Sequence, residues 1–377
     1  RRATDIPMLN LTNWYTMDDA ARNSAIKAYT EELADYVKVG IQDNDWKNVT
    51  EISTPTVLLS LAANAANSGL GNGDKVKQLT NSVLAWEDLM HICKTTQGID
   101  NTYDKNDMRT RQNIRCMQMF SGAFMYAAGS HIGIGYGSCP GMVGGTPIAQ
   151  LDQNATANNL FGWGIAHEIG HNMDKLGKAE TTNNIYSIMA QTYDGKQNTL
   201  ASRLEKSNKY PKVFQKVAEG IPGASNDVFV QLGMYWQLHL AYDDGAAPMD
   251  FYNKFFKAWK KGTYFNGASS YDDKFALTAS AVAGKDLTEF FTRWGMTLSE
   301  GTKKKLETYA KEDRAIWYLS DQSRRDRLAG KEAATGTVSV TAAKKDDKTI
   351  TLTLSTENLN GGGVLQGYEI LRKDSGT

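Results

Sequence analysis

The chain has 377 residues, of which 41% are hydrophobic and 22% charged, a composition typical of a globular protein with a sizeable core. Its 42 basic and 42 acidic residues cancel, so the charge gives no support to a nucleic-acid partner. No apolar run approaches the roughly 20 residues that a helix needs to span a bilayer, and the length predicts two or three structural units.

The first residues and the cysteines indicate whether the chain is part of a longer protein and whether it has disulfides. The sequence begins with Arg1 and Arg2 rather than methionine, which favours a piece of a longer parent protein that carries other modules. The lack of a leader peptide in this sequence therefore says nothing about where the protein is located. Cys93, Cys116 and Cys139 have no paired spacing, so we expect no disulfide framework, although one pair stays open.

Residues 1–50 are predicted to form an N-terminal helical segment. Asp18 is a natural N-cap, and Ile26, Tyr29 and Leu33 follow at helical spacing. The role expected of this segment is that of a scaffold.

Two more scaffold helices are predicted next. Pro55 is expected to open one that runs through 58–61, and the turn residues 72–74 end it. The other is predicted from Val76 to Trp86, where apolar residues recur at helical spacing.

Between Arg109 and Ile134 the pattern changes towards strands, and a glycine-rich stretch follows. Gly133, Gly135 and Gly137 alternate, which would leave one face of a strand without side chains. Glycines inside a strand often mark the close approach of another backbone or of a ligand. A simple glycine-rich connection is the alternative.

The stretch 162–173 reads HExxH within a segment that can be helical. His167 and His171 are four residues apart, so on a helix they lie one turn apart on the same face and can share one metal ion. Zinc prefers nitrogen ligands of this kind. Glu168 projects about 100° round the helix, close enough to hold a water on the metal without being a ligand. A buried structural helix is the alternative.

The chain also offers a third ligand, Glu180. On an unbroken helix the nine steps from His171 would carry it roughly 13 Å along the axis, too far to reach the metal. Gly177 is a natural helix end, and a second helix is predicted to start near Ala179. Asn184 would share a face of that helix with Glu180 and could support the ligands.

These residues carry a family resemblance. The motif 167–172, Glu180 and the run 183–187 resemble the enhancin-like gluzincin zinc metallopeptidases, which include secreted bacterial mucin-degrading O-glycopeptidases. Upstream, 116–125 is similar to the segment before the family's zinc helix. Downstream, 231–238 and 286–295 are similar to its helical subdomain, so the resemblance covers about residues 50–320.

The resemblance implies an α+β fold. We expect a zincin-type metallopeptidase catalytic domain at 51–329, with the zinc helix at about 160–176 and a mainly helical subdomain at about 196–329. Residues 330–336 read as a linker. The alternating pattern of 337–377 predicts the start of a β-sandwich module that resembles the fibronectin type.

The predicted function is zinc-dependent endopeptidase activity. One catalytic Zn²⁺ would be held by His167, His171 and Glu180, with Glu168 as general base and then acid. The resemblance implies O-glycosylated proteins such as mucins as substrates, cleavage next to a glycosylated Ser/Thr, and a secreted or cell-surface location with a role in bacterial colonisation or virulence. The rivals are a general zinc protease without glycan requirement and a non-catalytic glycan-binding adhesion module.

The resemblance also suggests where the peptide binds. Gluzincins pair extended substrate with an edge strand ahead of the zinc helix, and the stretch 129–137 is the candidate, with Gly133 and Gly135 facing substrate. His131 is a candidate substrate contact.

Two aromatic positions are candidates for recognition and catalysis. Trp236 could line a sugar pocket, and His239 could stabilise the oxyanion, as a histidine or tyrosine does in related zinc peptidases. Core packing is the alternative for both. Tyr186 and Tyr193 are rival oxyanion donors.

Overall fold

The computed structural model shows a mixed sheet followed by a mainly helical region. The described residues are 5–38, 47–99, 111–120, 122–150, 160, 162–193, 201–243, 249–331, 335–360 and 368–370. No helix among these residues is long and apolar enough to cross a membrane.

The main sheet has six strands in the order β1-β2-β3-β4-β6-β5. β2 and β3 are antiparallel, as are β5 and β6, and the other neighbours are parallel. The strands are β1 Met8–Asn10, β2 Thr50–Ser53, β3 Val57–Leu61, β4 Gln112–Cys116, β5 Met125–Ala127 and β6 Ile132–Ile134.

The N-terminal segment is joined to this sheet, because β1 pairs with β2. The predicted helix is present as α1, Asp19–Val37, and the Asp18 side chain caps it by accepting a hydrogen bond from the Ala21 amide. Tyr29 is buried in α1 and hydrogen bonds to Thr50 at the start of β2, which fixes the helix against the sheet.

The predicted helix after Pro55 is wrong. Val57, Leu59 and Leu61 are buried and alternate with half-buried residues, and the segment is the strand β3 between β2 and β4. Its apolar run is that of a central strand, which a buried helical segment shares. The helices α2, Ala63–Gly69, and α3, Lys75–Thr96, come next, the latter as predicted.

The glycine-rich stretch is not an edge strand, so that prediction is also wrong. β6 lies between β4 and β5, and β5 is the outer strand. A Cβ atom on Gly133 would come within 2.1 Å of the Tyr126 ring of β5. The glycine therefore makes room for an aromatic side chain of the neighbouring strand rather than for a ligand.

The helical region packs around an aromatic core that includes Tyr252, Phe255, Phe275 and Phe291, all nearly inaccessible to solvent. The helices are α4 Cys139–Val143, α5 Trp163–Met173, α6 Asn184–Thr192, α7 Arg203–Lys206, α8 Tyr210–Glu219, α9 Val228–Tyr242, α10 Asp250–Lys261, α11 Tyr271–Ala283, α12 Thr288–Arg293, α13 Glu300–Leu306 and α14 Asp321–Leu328. Two short strands, β7 Lys285–Asp286 and β8 Ala310–Lys311, pair within this region.

After the helices the chain forms an antiparallel hairpin of β9, Thr335–Lys344, and β10, Ile350–Asn360. Strands are present where alternation predicted them, but two strands do not make a sandwich. The third predicted strand, at 364–372, lies largely outside the described residues. The β-sandwich module stays a prediction.

Candidate active site

Helix α5 carries the HExxH motif against the sheet. Ile165 and Ile169 are buried, and the helix packs against the outer strand β5. His167 and His171 lie on the opposite side with 17% and 25% of their side chains exposed. The motif histidines are therefore held by a packed helix but open to solvent.

The two histidines and Glu180 converge. The Glu180 carboxylate oxygens lie 3.4 Å from His167 Nε2 and 3.2 Å from His171 Nε2. The two Nε2 atoms are 3.1 Å apart. The Glu180 side chain is 58% exposed, so the point of convergence opens towards solvent.

Glu180 reaches this position from a turn, not from a helix as predicted. Helix α6 begins at Asn184, so the predicted start near Ala179 is wrong. Glu180 has a left-handed backbone with φ of 63°, which is uncommon outside glycine and costs energy. Strained backbone of this kind persists only where the surroundings hold it.

Asp174 and Thr182 hold the turn. The Asp174 carboxylate accepts hydrogen bonds from the amides of Leu176 and Gly177 and, at 2.6 Å, from the Thr182 hydroxyl. The same hydroxyl accepts from the Lys178 amide. These bonds tie both ends of the loop that presents the third carboxylate.

Two asparagines connect the turn to helix α5. Asn184 Oδ1 lies 2.7 Å from His167 Nδ1, and its Nδ2 donates to the backbone oxygen of Glu180 at 2.7 Å. Asn183 lies beside both histidines, and its backbone comes close to Gly170. A Cβ atom on Gly170 would be 2.2 Å from the Asn183 oxygen, so the close approach requires glycine here.

The arrangement fits a metal ion. The three ligand atoms lie within 4.8 Å of one another, and the set of two imidazoles and a carboxylate is one that zinc accepts. If Nε2 of His167 held a metal, its Nδ1 would carry the proton and would donate it to Asn184 Oδ1, the usual outer support of a metal-bound histidine. The His167–His171–Glu180 cluster is thus a candidate metal site with an open side, as catalytic sites require.

Glu168 lies beside this cluster with 7% of its surface exposed. Burial raises the pKa of its carboxyl group, the charge of His167 opposes that rise, and the charge of Glu180 adds to it. Burial, together with His167, lowers the pKa of His171, which favours the neutral imidazole that a metal needs.

The aromatic candidates are wrong, because the structure buries them in the core. Trp236 is 2% exposed and donates its indole N–H to Asp321. His239 is fully buried, stacks on Trp236 and bonds to Asp243 through Nδ1. Tyr186 is also fully buried, so neither it nor His239 is exposed at the metal site.

In the glycine-rich stretch the three predicted substrate contacts, His131, Gly133 and Gly135, lie against other residues of the protein. His131 Nε2 hydrogen bonds to the Tyr126 hydroxyl at 3.0 Å. Gly133 lies under the ring of Tyr126, and a Cβ atom on Gly135 would lie 3.2 Å from Met119. The stretch is linked to helix α5 at Gly129, whose amide donates to the Asn172 side chain.

Sequence reasoning missed the residues that hold the Glu180 turn. Asp174 and Thr182 are ordinary turn and cap residues in type, and their bond spans eight positions. The one available signal was the position of Asp174, directly after a helix that had to end before Gly177.

Part of the sequence matches a known protein family. Residues 40–295, more than half of the chain, match the model of the family described as peptidase M60, enhancin and enhancin-like. No curated protein matches the sequence.

Solved structures resemble the whole fold. The ZmpB metallopeptidase from Clostridium perfringens has a TM-score of 0.68 at 24% identity, over 94% of this chain and 66% of that one. The M60 catalytic domain of ZmpC from the same organism, solved with the sialyl T antigen, has 0.67 at 24%, over 94% and 65%. A metallopeptidase in complex with Tn antigen has 0.59 at 17%, over 88% and 65%.

This chain therefore spans about two thirds of the length of these structures. The family match, the shared fold and the candidate metal cluster point the same way, and the chain belongs to the peptidase M60 family of enhancin and enhancin-like metallopeptidases.

Proposed function

We propose that this protein is a zinc-dependent endopeptidase that cuts O-glycosylated proteins such as mucins, next to a glycosylated Ser/Thr. The observation that carries the catalytic part is the convergence of His167, His171 and Glu180 beside the buried carboxylate of Glu168. A purely structural metal site has no need of such a carboxylate, which argues against a non-catalytic adhesion module.

The proposed roles follow from the positions of the side chains. His167, His171 and Glu180 hold one Zn²⁺, which when bound polarises the scissile carbonyl and acidifies water. Glu168 takes a proton from the attacking water and passes it to the leaving amine. Its position in the chain directly after His167, on the same helix, suits both halves of this exchange, since the carboxyl group must accept and then release a proton.

The peptide is proposed to lie along β5. Within the described part of the chain this strand pairs only with β6, and it packs against α5. Extended peptide can add to such an edge through backbone hydrogen bonds. Backbone hydrogen bonds do not distinguish one side chain from another, so specificity for the substrate must come from other contacts.

The glycan requirement rests on the family and on two of the similar structures. Those structures were solved with the sialyl T antigen and with Tn antigen. The rival within the same chemistry is a zinc protease that ignores glycans.

A matched substrate pair separates the two functions. One peptide is synthesised with and without a single O-glycan, and its products are mapped by mass spectrometry in the presence and absence of a chelator. We expect chelator-sensitive cleavage of the glycopeptide alone, immediately beside the sugar. Equal cleavage of both peptides would refute the glycan requirement and leave the zinc peptidase intact.

The control variant is Glu168→Gln. It should retain zinc and lose at least ~10²-fold in turnover, since a proton-transfer group typically supplies ~10²–10⁴-fold. Full activity of this variant would refute the assignment of Glu168.

Location and domain limits are part of the proposal. We propose a secreted or cell-surface enzyme with a catalytic domain at 51–329 and further modules in its parent chain. One similar structure, of ZmpB, contains CBM51-1 and CBM51-2 domains beside its M60 domain, and this chain covers 35% of it.

A further inference from the structure

Two cysteines meet where the end of a central strand approaches the start of a helix. Cys116 is the last residue of β4, and Ile134 of β6 is its partner across the sheet. Gly135 follows Ile134, and its backbone oxygen lies 3.8 Å from Sγ of Cys139, the first residue of α4. The turn between β6 and α4 therefore brings the second thiol back towards the first.

The two thiols are in contact with each other. Both cysteines are free, and a hydrogen bond joins their side chains. The backbone amide of Ala62, between β3 and α2, also donates to both sulfur atoms. A single amide that reaches both sulfurs places them side by side.

The two thiols differ in exposure and in acidity. Cys116 is half-buried, whereas Cys139 is inaccessible to solvent. The hydrogen bond with Cys139 lowers the pKa of the Cys116 thiol to about 7, while burial opposes this shift and the Ala62 amide assists it. The same hydrogen bond, together with burial, raises the pKa of Cys139. Cys116 is therefore the nucleophile of the pair, since the thiolate is the reactive form of cysteine.

The third cysteine has neither the exposure nor the acidity of Cys116. Cys93 is fully buried in α3, and burial raises the pKa of its thiol to about 12. Thiols buried in this way are chemically inert. Cys93 is therefore an internal control for the reactivity of the pair.

The pair is better suited to exchange with a disulfide than to holding a metal ion. In the part of the chain that the structure describes, the group of His, Cys, Asp and Glu side chains placed to hold a metal is the His167–His171–Glu180 cluster. Two sulfurs alone leave zinc short of the four ligands that it takes in structural sites. An acidic, accessible thiol beside a second thiol is the arrangement that thiol–disulfide exchange requires.

We propose that Cys116 and Cys139 form a thiol–disulfide exchange site, which an external low-molecular-weight disulfide converts into an internal disulfide. The Cys116 thiolate attacks one sulfur of the external disulfide, so that a mixed disulfide forms and the first leaving thiolate takes up the proton that Cys116 lost. Cys139 then gives up its proton and attacks Cys116 Sγ, which releases the second external thiol with that proton. Two electrons pass to the external disulfide.

The internal disulfide acts on the strands beside helix α5. It closes the loop 117–138, which contains β5 and β6, and ties the end of β4 to α4. β5 packs against α5, and α4 packs against α2 and α3. Closing a loop restricts the unfolded chain, so the oxidised protein is the more stable form. This inference is independent of the proposed peptidase function.

The test uses the zinc-loaded full chain, with oxidised glutathione as the external disulfide. Peptide mapping by mass spectrometry without a reducing agent should find Cys116 joined to Cys139 and Cys93 unmodified. The melting temperature should rise by about 5 °C on oxidation, the order expected for a loop closed in a large domain. Dimers joined through Cys116, or a glutathione adduct that persists on it, would overturn the proposal, and an unchanged melting temperature would overturn the stabilising role.

Variants separate the roles of the two thiols. In Cys139→Ala the reaction should stop at a stable glutathione adduct on Cys116, and in Cys116→Ala no cysteine should react. Alkylation of Cys116 by iodoacetamide at about pH 7 should slow at least about threefold in Cys139→Ala, because the thiolate fraction falls more than the intrinsic nucleophilicity rises.

The matched control is Cys93→Ala, which also removes a fully buried thiol and should form the internal disulfide as the wild type does. Equal alkylation of Cys93 and Cys116 in the folded wild type would contradict the assignment of Cys116, and so would an unchanged alkylation rate in Cys139→Ala. The mapping of the wild-type protein decides the proposal even where a variant fails to fold.

Discussion

Replacing Asn184 with leucine tests how the candidate metal site is held together. Asn184 is 2% exposed and makes two hydrogen bonds of 2.7 Å, one with His167 Nδ1 and one with the backbone oxygen of Glu180. Leucine has a similar volume and can make neither bond. The substitution therefore removes the connection between two predicted ligands with little change in packing.

The expected magnitude follows from those two bonds. A buried hydrogen bond contributes about 1 kcal/mol net, so the loss of both should weaken zinc binding by about 2 kcal/mol, or roughly 30-fold. This lies within the ~10–100-fold loss typical of outer supports of metal ligands. Peptidase activity at limiting zinc should fall in parallel.

The assay is competition for zinc with a chromophoric chelator, together with thermal unfolding of the metal-free proteins. Asn184→Asp is the matched variant, since it keeps the acceptor for His167 Nδ1 and loses only the donor to Glu180. We expect its zinc affinity to lie between those of wild type and Asn184→Leu. Wild-type affinity in Asn184→Leu, with a folded protein, would refute the reasoning.

Three further outcomes are expected. Glu180→Ala should reduce zinc occupancy and activity together, and normal occupancy by metal analysis would show that another residue closes the site. Gly170→Ala should destabilise the protein and weaken zinc binding, because the added methyl group meets backbone at 2.2 Å. The control Gly164→Ala should be tolerated in thermal unfolding, because its nearest neighbours are side chains, the Met125 sulfur at 3.2 Å and the Phe124 ring at 3.6 Å. Burial tends to raise the pKa of Glu312, but hydrogen bonds from Arg314 outweigh burial and hold the pKa at about 2. The stability that the Glu312 carboxylate contributes is therefore complete above about pH 4.5 and is lost as the pH falls towards 2. Glu312→Gln should make the melting temperature less dependent on pH between about pH 5 and 3, and an unchanged slope would contradict this.

The sequence predicted those parts of the site that depend on the spacing of residues along a helix. The four-residue separation of His167 and His171 has one consequence on a helix, and the structure has that helix. The need for the chain to turn before Glu180 also followed from helix geometry. The form of the turn did not, because a left-handed glutamate depends on partners such as Thr182 that only the folded chain brings together.

The failures have a common physical cause, which is that neighbours across the fold decide exposure. Gly133 has the pattern of an open strand face, yet the ring of Tyr126 from the next strand fills it. Trp236 has the chemistry of a residue that packs against sugar rings, but it lies in the stretch 232–241 of α9, where every residue is buried. The segment at 57–61 is too short for periodicity to separate a central strand from a buried helix.

Because of the turn that carries Glu180, the reactive groups come from one short segment, while the elements around them come from other parts of the chain. The predicted ligands, the buried carboxylate and the asparagine supports all lie between 167 and 184, so a single short segment brings the reactive groups together with little loop-closure cost. The elements that pack against this segment come from remote positions: β5 lies upstream and packs against α5, and α9 lies downstream and packs against α6. Substitutions in β5 or α9 can therefore change the surroundings of the site while the segment that carries the reactive groups keeps its sequence.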